Sequence, residues 1–162
     1  MSVPSRSAFA AITRYTVEEH REWDSPHSFL TLRWDGDSLS CRTWVCIMPD
    51  VDPVKYPAVM MGAVREELEK YPDDPAYGYL LQGEFFGTQE PDAAEACIAW
   101  AVDIHGRLWS AAKTRTNPDR IQEAFYQPGR APRGQMIQGL LTVAYATGVI
   151  GHGMPGPQGP LN

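Results

Sequence analysis

Residues 28–48, SFLTLRWDGDSLSCRTWVCIM, read as a β-hairpin. Two alternating runs, 28–34 and 39–48, flank Asp35-Gly36. Asp-Gly between such runs is the preferred type I′ turn, because both central residues need φ > 0. This turn predicts a register in which Leu32 faces Leu39, Leu30 faces Cys41 and Phe29 faces Arg42. One face then carries Leu30, Leu32, Trp34, Leu39, Cys41, Thr43, Val45 and Ile47, and is assigned to the core. The opposite face carries His27, Phe29, Thr31, Arg33, Ser38, Ser40, Arg42 and Trp44.

The flanking sequence predicts how the hairpin is extended. Thr16-Val17-Glu18-Glu19 matches a capping box and predicts a short helix over 17–23, stopped by Ser25-Pro26. After a proline-rich linker at 49–57, Met60, Met61, Val64, Leu68 and Tyr71 recur at helical spacing, predicting a helix over 57–71. Residues 77–88, YGYLLQGEFFGT, read as one long strand, with Gly83 at a bend. Residues 89–96 are a polar connection. Asp103 and Gly106 suit a type I turn with a glycine bulge joining strands 97–103 and 107–114. In that register Val102 opposes Leu108, and Trp100 and Trp109 point to opposite faces. A turn at 116–119 leads to residues 120–126, assigned to a further meander strand because sequential strands usually pair. A second amphipathic helix spans 134–147, with Gly148 at its left-handed end.

The expected fold is therefore α+β: a mostly antiparallel sheet of five to six strands, built from two hairpins and a long strand. Two main amphipathic helices pack on it. At 162 residues one domain is expected, over 1–150. The tail 151–162, GHGMPGPQGPLN, holds three Gly-X-Y triplets, too few for collagen, and is expected to be flexible or polyproline-like.

Composition narrows the function. Net charge is −6, which argues against phosphate-backbone binding, so no nucleic-acid partner is expected. The longest apolar stretch, 140–150, is far short of a bilayer span, and no membrane partner is expected. Three cysteines, Cys41, Cys46 and Cys97, make an odd set with no close pair, the pattern of reduced thiols in a cytosol. Cys41 and Cys46 are five apart, so strict alternation sends them to opposite faces. Eleven Arg against three Lys, with 14 Gly and 14 Pro, suit a GC-rich genome, bacterial or phage.

No phosphate loop, nucleophile elbow or zinc-binding spacing is present, and no cofactor or metal is expected. Four places could carry chemistry. The cluster Glu18, Glu19, His20, Glu22, Asp24 and His27 sets histidine beside carboxylates, but on a helix Glu18 and Glu22 form a solvated i, i+4 face with His20 turned away from it, and His27 lies beyond Pro26. Glu84 lies in an apolar strand, where a buried carboxylate would be the polar centre of a pocket; Gln82 beside it points instead to a wet face. His105 falls in a turn and His152 in the tail, each without a sequence partner. The strongest candidate is the patch of His27, Phe29, Arg33, Arg42 and Trp44, since arginine and aromatic residues dominate binding hot spots. The function expected on these grounds is a small interaction or accessory protein rather than an enzyme. Its partner would be another protein or a second copy of itself. The alternative is a small-molecule-binding domain or small enzyme with a pocket between sheet and helices.

Overall fold

The structure is a computed structural model that describes residues 6–48, 50–86 and 95–150. The tail at 151–162, with His152, lies outside the described residues, as does most of the connection expected at 89–96. The described chain is an α+β fold with a six-stranded sheet. Its strands are β1 (His27–Trp34), β2 (Leu39–Ile47), β3 (Gly78–Phe86), β4 (Glu95–Asp103), β5 (Leu108–Thr114) and β6 (Asn117–Tyr126). They run in the order β2-β1-β3-β4-β5-β6, and every neighbouring pair is antiparallel. The helices are α1 (Arg6–Glu18), α2 (Tyr56–Lys70) and α3 (Gln135–Ala146). No helix among the described residues is long and apolar enough to cross a membrane.

Both faces of the sheet are covered, because its strands carry apolar side chains in both directions. The α2 and α3 helices pack on one face, over Phe29, Ile47, Tyr79, Leu81, Trp100, Val102 and Leu108. The other face holds Leu32, Leu80, Ala99, Ala101, Trp109 and Ala111, with Phe9 and Val17 of α1 laid over them. Small residues at 99, 101 and 111 let that helix approach closely. Trp100 and Trp109 take opposite faces, as their alternation predicts.

The β4–β5 turn forms as expected. The Asp103 carboxylate accepts from the backbone N–H of His105 (3.0 Å) and of Arg107 (2.9 Å), and Gly106 has φ +79°. Val102 pairs with Leu108. Residues 120–126 are strand, within β6. The turn expected at 116–119 is shorter than predicted, since β6 already begins at Asn117, paired with Thr114.

Two sequence expectations fail. The helix over 17–23 does not form; α1 instead ends at Glu18. Phe9, Thr13 and Val17 recur every four residues and bury one stripe on the sheet, so the helix runs through the supposed cap. The Thr16 hydroxyl then donates back to the Ile12 carbonyl (2.8 Å) instead of capping.

The hairpin register also differs. The loop is residues 35–38, closed by Asp35, whose carboxylate accepts from the N–H of Asp37 (2.9 Å) and Ser38 (2.8 Å). Trp34 therefore pairs with Leu39 and Leu32 with Cys41, a slip of two that preserves the faces. A β-bulge at Arg42 then adds one residue, so Thr31 pairs with Thr43, Leu30 with Trp44 and Phe29 with Val45. Beyond the bulge every β2 side chain has changed sides. Val45 and Ile47 join the core beneath α2, while Leu30 and Leu32 pack on the α1 side. Cys41 and Cys46, opposite Leu32 and Ser28, share one face rather than two.

Candidate functional site

The bulge distributes the five hairpin residues. Arg42 and Thr43 both turn under α2 toward Glu67, a carboxylate buried in the last turns of that helix. Glu67 accepts from the Thr31 hydroxyl, from the Thr43 hydroxyl (2.7 Å) and from the Arg42 guanidinium (3.0 Å). The side chains of Arg42 and Glu67 are 7% and 1% exposed. Arg42 also lies 3.1 Å from Asp74 and over the Tyr71 ring. Its Nε is buried with no hydrogen-bond partner. Burial alone would raise the Glu67 pKa; the bonds from Arg42, Thr31 and Thr43 outweigh it and hold the carboxyl below its usual range. Burial opposes the Arg42 charge too, but Glu67 and Asp74 overcome it and raise the guanidinium.

Phe29 is core, packed on Tyr79. Arg33 is exposed, 3.5 Å from Asp74. Trp44 alone of the aromatic pair reaches the surface: it is 64% exposed on the α1 side of β2, an edge strand. The α1 helix lies mainly over β4 and β5 and makes only a small contact with β2. Met48, just beyond the strand, is also exposed. The structure thus does not bring His27, Phe29, Arg33, Arg42 and Trp44 to one surface. It leaves Trp44 on one face and turns the others to the opposite one.

His27 is buried, its Nδ1 2.5 Å from the Tyr56 hydroxyl and its ring on Phe85. Position 83 must be glycine here, because a Cβ would sit 2.8 Å from the His27 ring and 2.7 Å from that of Phe85. Burial lowers the His27 pKa below its usual value, against the raising effect of the Glu84 backbone and charge. A histidine that binds its proton less readily when folded contributes stability present in full above the unfolded value of about 6.5. That contribution is lost as pH falls from there through the depressed folded value. Urea midpoints measured between pH 8 and 5 should decline below about 6.5. In His27→Gln the decline should flatten, and an equal slope in both proteins would exclude this histidine as its source.

On the α1 side the structure assembles a polar cluster that sequence separation concealed. His20 is not on a helix at all: it follows the end of α1, and its side chain is 8% exposed. Its Nε2 lies 2.5 Å from Glu84, whose side chain is 7% exposed rather than on a wet face. Glu84 also accepts from the Asp24 N–H (2.7 Å). Gln82 Nε2 lies 3.3 Å from His20 Nδ1 and donates to Cys97 Sγ (3.2 Å). Lys113 Nζ donates to the His20 carbonyl (2.6 Å). These bonds fasten residues 20–24 to the sheet and explain why buried polar side chains appear there. Burial pushes the Cys97 thiol up to about 11, so it stays protonated at neutral pH. Oxygens of Asp24, Glu84 and Glu95 come within 4.8 Å of one another. Arg115 bonds both Asp24 (3.2 Å) and Glu95 (2.9 Å), and its guanidinium supplies the positive charge that the carboxylates need. Among 64-residue separations such as His20 to Glu84, no local spacing could have signalled the contact.

A groove of about 410 Å³ runs between α1 and β5–β6, with Trp109 and Phe125 in its walls. Two of its polar groups are engaged: Glu123 by Arg14 (2.8 Å) and the Thr13 hydroxyl by the Phe9 carbonyl (2.7 Å). Glu84 and His27 are not among its lining residues. No protein-family model, curated protein or solved structure matches this chain.

Proposed function

We propose that this is an accessory protein that acts by binding another polypeptide through the β1–β2 end of its sheet. One observation carries the reading: Trp44 stands 64% exposed on β2, the strand that ends the sheet among the described residues. Tryptophan is the residue most enriched at binding hot spots, and a strand edge is a ready template for another chain. The α1 groove is lined chiefly by apolar surface and its one carboxylate, Glu123, is taken up by Arg14, which favours this reading over a polar small-molecule site there. Net charge of −6 disfavours nucleic acid as the partner. The cytosol is the fitting compartment, since Cys41 and Cys46 are exposed free thiols.

The test is capture from a lysate of the source cell on immobilised protein. Trp44→Ala should lower capture of a specific band by about tenfold or more, as loss of a hot-spot residue does. Its far-UV circular dichroism should not change, because the side chain lies outside both cores. Undiminished capture would remove this edge from the account.

A further inference from the structure

We propose that the chain seated on β2 is a second copy of this protein, paired antiparallel through residues 43–47 about a two-fold axis at Val45. The proposal rests on the protein-binding reading of the same edge and names its partner.

The two edges of the sheet differ in what they present to a neighbouring strand. The β6 edge carries Pro118, Asp119, Arg120 and Glu123. Proline withholds a backbone donor, and charges along a strand resist a neighbour, so this edge is guarded against pairing. The β2 edge has no proline, no lysine and no acid. Its one charge, Arg42, is turned inward by the bulge and neutralised by Glu67 and Asp74. An edge left neutral in a chain of net charge −6 is where two such chains can meet without like charges facing each other.

The bulge also selects the register. It interrupts regular pairing at Arg42, and β2 ends at Ile47, so the uninterrupted stretch is residues 43–47. Five residues is an ordinary strand length. A two-fold interface must pair each residue i with j and j with i. An axis at Thr43 or Trp44 would draw Arg42 and the bulge into the ladder. An axis at Val45 pairs all five residues: Val45 with itself, Trp44 with Cys46 of the second copy, and Thr43 with its Ile47. Trp44 and Cys46 share the α1-side face, so each indole lies across a small side chain rather than against another indole. Directly opposed Cβ atoms in antiparallel strands are about 4.5–5.5 Å apart, close enough for the ring to cover its neighbour. The resulting twelve-stranded sheet would bury both copies of the most exposed tryptophan described above.

Sedimentation of the full chain over a wide concentration series tests this. The expected species is twice the 18.0 kDa chain mass. Trp44→Glu should raise the dissociation constant by about tenfold or more, with the circular dichroism spectrum unchanged. Trp44→Glu combined with Cys46→Lys should restore dimers, because each new carboxylate then opposes an ammonium across the axis. A wild-type chain monomeric throughout the series overturns self-pairing, and so does a dimer indifferent to Trp44→Glu. A double variant no tighter than Trp44→Glu overturns the axis at Val45. If the wild type is monomeric yet its lysate capture depends on Trp44, self-pairing falls while the protein-binding reading stands. If both measurements ignore Trp44, both fall.

Discussion

Glu67→Ala should lower the stability of the fold by about 3–5 kcal/mol, the usual result of removing one partner from a buried ion pair. The reason lies in what remains. Arg42 would stay charged in a site where its side chain is 7% exposed, with Nε already lacking a partner and the half-exposed Asp74 as its remaining carboxylate. Thr31 and Thr43 would lose the acceptor for their hydroxyls. A domain of this size has about 5–15 kcal/mol in total, so the variant stands near the limit of folding. Replacing both partners by apolar side chains, Arg42→Met with Glu67→Leu, should recover much of the loss, because the cost is chiefly that of a buried charge left with only the half-exposed Asp74. Denaturant midpoints of the single and double variants check this. A loss under about 1 kcal/mol in Glu67→Ala would place the pair among surface-like contacts. The pH dependence has a definite sign. The Glu67 carboxyl is held below its usual range, so its contribution is present above the unfolded carboxyl value and is lost as pH falls through the depressed folded one.

That ion pair also explains which parts of the fold were legible in the sequence. The β4–β5 hairpin was readable in its turn and register because Asp103, Gly106 and Arg107 close it locally. The β1–β2 hairpin was readable as a hairpin but not in register. Its bulge exists where Arg42 and Thr43 both reach Glu67, 25 and 24 residues further along the chain. Strict alternation has no term for such a contact, and one extra residue inverted the assignment of Trp44, Val45, Cys46 and Ile47. Helices α2 and α3 announced themselves through apolar stripes that face one core. In α1 the stripe is Phe9, Thr13 and Val17, with a threonine at its centre. The capping pattern just beyond it was the louder local signal and the wrong one. The same misreading carried the helix on through His20 and turned it away from the carboxylates. Only the early end of α1 sends that side chain inward to Glu84.

The helix that local signals hid is the one whose docking hangs most on a single side chain. Phe9→Ala should cost about 3–5 kcal/mol, the range for deleting a buried phenyl ring. Phe9 is buried and stacked on Trp109, with ring centroids 4.8 Å apart. The sheet is shaped around it: at Gly78 a Cβ would come within 2.8 Å of the Phe9 ring and 2.4 Å of the Val102 carbonyl oxygen. A helix of 13 residues is marginal in water by itself, so α1 depends on this contact for its order. Losing the ring should therefore act unevenly. Amide exchange in α1 should accelerate far more than in β3 and β4, which keep their pairing and the α2–α3 core. Tryptophan emission should shift to the red as Trp109 meets water. Residues 20–24 should loosen less than α1, since Lys113, Glu84, Gln82 and Arg115 hold them to the sheet directly. Uniform acceleration across the sheet would instead mean that α1 and the strands unfold as one unit. A loss below about 1 kcal/mol would mean that Phe9 does not hold the helix in place.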